Sequence, residues 1–278
     1  MREPSAAVND DTPNPAPQTG PAQPAPAQLT KFETAQSVDD FAHNLAAVNA
    51  RIAAAAARAD RDAGEVRLLP VSKTVPEERL RNAIAAGATF LGENKVQEAL
   101  RKSEELADIE GLRWAVIGHL QTNKAKYVAR FASEFQALDS LRVAEALDRR
   151  LEAEDRTLDV FVQVNTSQED SKFGLPPEEV AAFITELPTF SRLRVRGLMT
   201  LAVFSPDIER VRGCFVLLRE LRDRMRDNAP EGIALDELSM GMSGDFETAI
   251  EEGATVVRVG QAVFGSRATP DSMYWPAT

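Results

Sequence analysis

The amino-acid sequence predicts an α/β chain folded as a single (β/α)8 TIM-type barrel, with an added N-terminal helix and a disordered N-terminal tail. Three observations carry that prediction. From about residue 66 onward, short apolar, β-branched runs alternate with longer helical patterns. These runs are continuously apolar rather than alternating, as parallel strands buried on both faces require. Eight such units within 278 residues fit a closed barrel better than an open doubly wound sheet.

The elements follow in order. Residues 1–30 hold seven of the 16 prolines, among Ala, Gln, Asn and Thr. So little apolar surface cannot offset the entropy of ordering the segment, which is therefore expected to be a disordered tail. The barrel domain is expected to take up residues 31–278. A helix from Ser37 to Asp62 opens it, with Phe41, Leu45, Val48 and Ile52 forming one stripe and Ala53–Ala57 raising helix propensity. The eight strands are Val66–Ser72, Thr89–Gly92, Arg113–Gly118, Glu134–Leu138, Leu158–Val164, Leu193–Leu201, Glu237–Met240 and Thr255–Phe264. The intervening helices open at Pro76, Val96, Thr122, Leu141, Pro177, Pro206 and Phe246. The chain ends soon after the eighth strand, so no second domain is expected.

Composition narrows the function. A formal net charge of −11 repels phosphate backbones and argues against nucleic-acid binding. One cysteine excludes an intramolecular disulfide, and two histidines give no common zinc spacing with it. Cys214 lies in the apolar run Cys214-Phe215-Val216-Leu217-Leu218 and reads as core. No apolar stretch reaches membrane-spanning length and no secretory signal opens the chain, so the expected compartment is cytoplasmic.

Barrel chemistry sits at the carboxyl ends of the strands. The first strand ends in Pro70-Val71-Ser72-Lys73-Thr74. Lysine is scarce here, with seven against 25 arginines, so Lys73 is not simply surface charge. Unlike Arg, a partly desolvated Lys can lose its proton and attack an aldehyde as a Schiff-base former. The alternative is a lysine that snorkels to water. After the seventh strand, Ser243-Gly244 precedes a helix and reads either as an anion site or as an ordinary N-cap. Gly260 lets the backbone approach a ligand after the eighth strand, where barrels commonly bind phosphate. A phosphorylated aldehyde would satisfy Lys73 and this turn together. Arg258 shares a face with Gly260 and either faces such a ligand or forms a salt bridge inside the barrel.

Together these residues resemble the pyridoxal phosphate homeostasis protein family. The resemblance spans about Leu68–Arg267 and rests on Leu69-Pro70-Val71-Ser72-Lys73-Thr74, Phe90-Leu91-Gly92-Glu93-Asn94-Lys95-Val96-Gln97-Glu98 and Ile117-Gly118-His119-Leu120-Gln121-Thr122-Asn123-Lys124. It continues through Lys172-Phe173-Gly174, Arg196-Gly197-Leu198-Met199-Thr200, Leu238-Ser239-Met240-Gly241-Met242-Ser243 and Val257-Arg258-Val259-Gly260. It implies a barrel similar to the N-terminal domain of alanine racemase, carrying pyridoxal 5′-phosphate (PLP) on Lys73. Asn94 would lie beside the ring. Ser243, with backbone groups of Gly244, Gly260 and Gln261, would hold the phosphate, and Arg258 would face the pyridine nitrogen. Three positions depart from the family pattern. Trp114 is followed by Ala115 where the family reads His, Lys95 stands where Tyr or Arg is common, and Gln261 replaces a common Thr whose hydroxyl could reach phosphate.

Two functions compete. The resemblance implies a non-enzymatic protein that buffers PLP or delivers it to PLP-dependent apoenzymes, as a monomer. A racemase-like enzyme would need proton donors on both faces of the substrate carbanion. In racemases one is a Tyr from a second domain, and the tyrosines here, Tyr127 and Tyr274, occupy a barrel helix and the C-terminus. The missing base favours the carrier. A generic Schiff-base aldolase keeps Lys73 and the phosphate turn but lacks an acid–base partner and leaves the motif set unexplained.

Overall fold

The computed structural model describes residues 32–169 and 172–266, so the tail expected over residues 1–30 lies outside the described residues. Helix α1 (Val38–Arg58) starts where the sequence places it. Ser37 Oγ accepts the Asp40 N–H at 3.1 Å, and the Asp40 carboxylate accepts the Ser37 N–H at 2.9 Å, a reciprocal capping box. The helix stops earlier than expected. Asp60 adopts a φ of 52°, and Asp62 instead caps a short 3-10 turn over Ala63–Glu65. Phe41, Val48, Ile52, Ala55 and Ala56 are buried, the last two showing that part of the alanine run serves close packing.

The strands are β1 (Arg67–Pro70), β2 (Phe90–Glu93), β3 (Arg113–Val116), β4 (Glu134–Leu138), β5 (Leu158–Val164), β6 (Leu193–Thr200), β7 (Glu237–Ser239) and β8 (Val256–Val259). They form one parallel sheet in the order β1-β8-β7-β6-β5-β4-β3-β2. A parallel bridge from Val71 to Gly92, with the Ser72 N–H bonded to Gly92 O at 3.0 Å, links the two ends of that order and makes a barrel. Between strands run α2 (Glu77–Ala85), α3 (Val96–Glu105), α4 (Ala125–Phe131), α5 (Leu141–Ala153), α6 (Val180–Glu186), α7 (Ile208–Arg226) and α8 (Phe246–Glu251).

The long eighth run divides. Strand β8 ends at Val259, and Gln261–Phe264 becomes helix α9 with Gly260 at its N-cap. A short apolar run does not distinguish strand from helix. Here the tail of the run packs on α1: Phe264 meets Phe41 edge-on at 5.7 Å, and Asn44 Nδ2 donates to Val263 O at 3.0 Å. Arg51 of α1 also grips Glu247 of α8 through two bonds of 2.7 and 2.9 Å. Cys214 is buried on α7, as its apolar setting predicts. Among the described residues no helix is long and apolar enough to cross a membrane.

A chain of polar groups runs through the barrel interior. Arg67 of β1 reaches Glu134 of β4 at 2.7 Å, and because those strands are not neighbours the contact crosses the interior. Gln136 donates to Glu134 at 2.5 Å and accepts from Ser239 Oγ at 2.7 Å. The alternation of strand side chains then sends Leu69 and Val71 inward with Arg67, while Ser72 faces the helices.

Close strand packing supplies a test. A Cβ on Gly197 would sit 1.8 Å from the Glu237 carbonyl oxygen, its partner in β7. Backbone cannot yield as a side-chain tip does, so Gly197→Ala must separate β6 from β7. We expect a loss of about 3 kcal/mol or more, read as a fall in Tm of roughly 6–12 °C. A wild-type Tm would contradict this register.

Candidate cofactor-binding site

Lys73 follows the Val71–Gly92 bridge in a tight turn and is half-buried. The next residue, Thr74, has a φ of 65°, a left-handed conformation that β-branched residues rarely adopt. A network on the helix side holds this turn. Lys102 of α3, only 1% exposed, donates to Ser72 O at 2.8 Å, Glu93 Oε1 at 2.6 Å and Glu98 Oε1 at 2.8 Å. Ser72 Oγ donates to Glu93 Oε1 at 2.6 Å, and the Thr74 N–H to Glu98 Oε1 at 2.8 Å. Burial pushes the Glu93 carboxyl above the usual range despite Lys102, and its Oε2 has no hydrogen-bond partner. Burial also acts to raise Glu98, but its bonds to Lys102 and Thr74 outweigh that and hold it below the usual range.

Two neighbours flank Lys73 through strand register. On one side Gly92 bridges Val71, and Asn94 follows two residues after that bridge as Lys73 does after Val71. On the other, the Val71 N–H bonds to Val259 O at 2.9 Å, and a Cβ on Gly260 would lie 3.2 Å from Val71 O. The β8–α9 turn therefore rests directly on the end of β1, with half-buried Gln261 following Gly260. Ser243 joins the same place: its Oγ accepts the Ala262 N–H in a long bond of 3.5 Å.

Ser243 is not the N-cap of α8. That position belongs to Asp245, whose carboxylate turns back to accept the Met242 N–H at 2.5 Å. Burial raises the Asp245 pKa, opposed by that bond and by the charge of Arg258. Ser243 and Gly244 thus form a turn ahead of the helix, and their N–H groups have no backbone acceptor among the described residues. Gly244 is exposed, and a Cβ there would meet nothing within 4 Å. Space and donors coincide in that turn, as an anion cradle needs.

Arg258 lies in the barrel, 3% exposed. It donates to Ser239 Oγ and Thr200 O, both at 2.7 Å. Thr200 belongs to β6, which does not adjoin β8, so the guanidinium reaches past the intervening β7. The internal salt bridge considered from sequence is replaced by a hydroxyl and a carbonyl, with Asp245 acting through its charge. Burial pushes Arg258 down to about 10, which still leaves it cationic at neutral pH.

Sequence reasoning missed two features. One is the Lys102 network; Glu98 and Lys102 stand at i,i+4, but that spacing usually marks a solvated helix pair. The other is on the same rim, beyond the ends of β3 and β4, where His119 Nδ1 lies 3.7 Å from Asp139 Oδ2 and its ring stacks on Phe173 at 4.0 Å. Burial raises the Asp139 pKa, opposed first by the charge of His119 and then by the Gly174 N–H. His119 was visible at a strand end, but Asp139 comes from the next strand and no local spacing announces the pair.

A family profile described as the N-terminal domain of alanine racemase matches residues 43–268, which fixes the class: a barrel of the alanine racemase N-terminal type. The pyridoxal phosphate homeostasis protein of Escherichia coli (strain K12) is 42% identical over 235 residues, covering 83% of this chain and 98% of the relative. The protein of that name from Pseudomonas aeruginosa is 44% identical over 229 residues, 82% of this chain and 96% of the relative. The solved structure of PipY from Synechococcus elongatus, with PLP bound, matches at 34% identity with a TM-score of 0.71, covering 81% of this chain and 100% of that one. The chain belongs to the pyridoxal phosphate homeostasis protein family.

Ser239 links the interior chain to Arg258, accepting from one side and donating to the other. Ser239→Ala leaves an Arg258 donor and a Gln136 acceptor buried without partners, at about 1–3 kcal/mol each. We expect urea unfolding to show a loss of about 2–4 kcal/mol with an unchanged m-value. A shift within about 0.5 kcal/mol, typical of surface changes, would show that Ser239 does not bridge them.

Proposed function

We propose that this chain binds PLP at the barrel mouth, holds it reversibly through Lys73, and serves its intracellular buffering and delivery. The observation that carries this reading is the packing of the β8–α9 turn on the end of β1. It supports a reading in which Lys73 offers an amine to the aldehyde and the β8–α9 turn, with Ser243, offers donors to the phosphate. Lys73 supplies the amine that condenses with the aldehyde and releases water. Ser243 and backbone N–H groups of Gly244, Gly260 and Gln261 receive the phosphate, while Asn94 borders the ring from the β2 side. The hydroxyl that Gln261 lacks is offset by backbone donors at this turn.

Arg258 argues for holding rather than converting. A PLP enzyme draws electrons into a protonated pyridine ring, and a guanidinium at the ring nitrogen disfavours that proton. Arg258 is cationic and fastened at two points, which weakens the ring as an electron sink and supports the holding role. We therefore assign the chain no turnover of its own and take PLP-dependent apoenzymes as its partners. We place it in the cytoplasm as a monomer, where the buried thiol of Cys214 remains reduced.

A second reading, racemase-like chemistry, has one observation in its favour. His119 and Asp139 form an acid–base pair on the same rim, and Gly118 lies so close to Asn94 that a Cβ there would be 2.2 Å from the Asn94 carbonyl oxygen. That pair could supply the second proton carrier missing from the sequence.

The cofactor claim predicts a yellow protein after loading with PLP. Borohydride reduction should add a phosphopyridoxyl mass to the peptide containing Lys73, and Lys73→Ala should abolish it. A colourless protein that cannot be loaded refutes the claim. The two functions separate on incubating loaded protein with single amino-acid enantiomers or with an apoenzyme. We expect no sustained turnover and a gain of apoenzyme activity, whereas steady racemisation lost in His119→Ala would reverse the order.

A further inference from the structure

The bonds behind the β1 turn carry an inference that rests on Lys73 being the reactive amine. We propose that Lys102 and Glu98 are positioning residues for Lys73, fixing both peptide planes that flank it and so restricting where its amine can point. The plane before Lys73 is held at Ser72 O, which accepts from Lys102 Nζ at 2.8 Å and from the Val75 N–H at 3.0 Å. The plane after it is held at the Thr74 N–H, which donates to Glu98 Oε1 at 2.8 Å. That same oxygen takes a second bond of 2.8 Å from Lys102. One ammonium therefore governs both sides of Lys73.

The geometry of the clamp is saturated. An ammonium has three donors, and Lys102 spends them on Ser72 O, Glu93 Oε1 and Glu98 Oε1. At 1% exposure water cannot take over any of them. The clamp also accounts for Thr74. A threonine at a φ of 65° is strained and persists only where its surroundings over-determine it. Releasing the Thr74 N–H lets that residue return to an ordinary conformation, which turns the peptide next to Lys73.

A purely structural ion cluster makes a different prediction. It would lower stability when cut but leave adduct formation unchanged in the folded protein. Glu98 is the place to cut, because it is 21% exposed and water can enter behind it. The test follows the rate at which the full-length chain forms the yellow, borohydride-reducible adduct with PLP, at a temperature well below each variant's Tm. Glu98→Ala should slow it by about 10- to 100-fold, as expected when a reacting group loses its placement. Glu98→Gln keeps an acceptor for the Thr74 N–H and should restore a rate close to wild type. If Glu98→Ala does not fold, Lys102→Met combined with Glu93→Gln replaces the buried charge pair by neutral groups and should slow the reaction likewise. A folded variant without the clamp that reacts at the wild-type rate overturns the positioning role alone. A wild-type chain that forms no adduct on Lys73 overturns the Lys73 reading, and this inference with it.

Discussion

Strand β1 is held unequally by its two neighbours, and the arrangement of the mouth depends on that asymmetry. Toward β8 it has a four-residue ladder, from Arg67 with Val256 to Pro70 with Val259. Toward β2 it has a single bridge, Val71 with Gly92. The ladder aligns the end of β1 with the β8–α9 turn, and so brings the candidate amine and part of the candidate phosphate cradle into one register. The weaker side is where the barrel closes. There the backbone leaving β1 has little sheet hydrogen bonding to direct it, and the Lys102 network supplies the direction instead.

A second constraint acts in the interior, where buried polar groups are driven to find partners, although Arg67 Nη1 is left without one. Arg67, Glu134, Gln136, Ser239 and Arg258 form a connected chain across the barrel. Each member fixes the next: Glu134 orients the Gln136 amide, which presents its oxygen to Ser239, which presents its own to Arg258. The guanidinium therefore reaches the mouth from a scaffold rooted on the far side of the barrel. Its fixed charge is a permanent feature of the field around any ring bound above it.

Much of this was legible in the sequence, for identifiable reasons. Parallel strands announce themselves by continuous apolar runs; seven of the eight lie within the predicted segments, and β2 runs one residue beyond its segment, to Glu93. Ser37 was recognisable as a helix start because capping chemistry is local. Lys73 stood out because lysine is scarce and the residue closes an apolar strand. What was hidden depends on contacts distant in sequence. Val259–Phe264 reads as strand because its apolarity is real, yet α1 claims the last residues as helix. Ser243 reads as a cap until Asp245 folds back on Met242. Lys102 sits in Leu100-Arg101-Lys102-Ser103-Glu104, as polar as any exposed helix face. Only the packing of α3 over the β1 and β2 ends makes it one of the most buried residues in the chain.

That burial is hard to explain by stability. Withdrawing an ammonium and a carboxylate from water is expensive, and apolar residues of similar size often do as well or better. Here the imbalance is sharper, because two carboxylates share one ammonium and Glu93 Oε2 is left without a partner. Burial accordingly raises the Glu93 pKa, the mark of a site whose charge is tolerated rather than welcome. A hydrophobic plug could fill the space behind the turn, but it could not hold a carbonyl on one side of Lys73 and an N–H on the other. Directional bonds do what packing cannot, which is to specify the orientation of single peptide groups. The strained Thr74 is consistent with that account, since local strain survives where the surrounding network dictates geometry. The cluster is thus better understood as a geometric constraint on the β1 turn than as a contribution to the core.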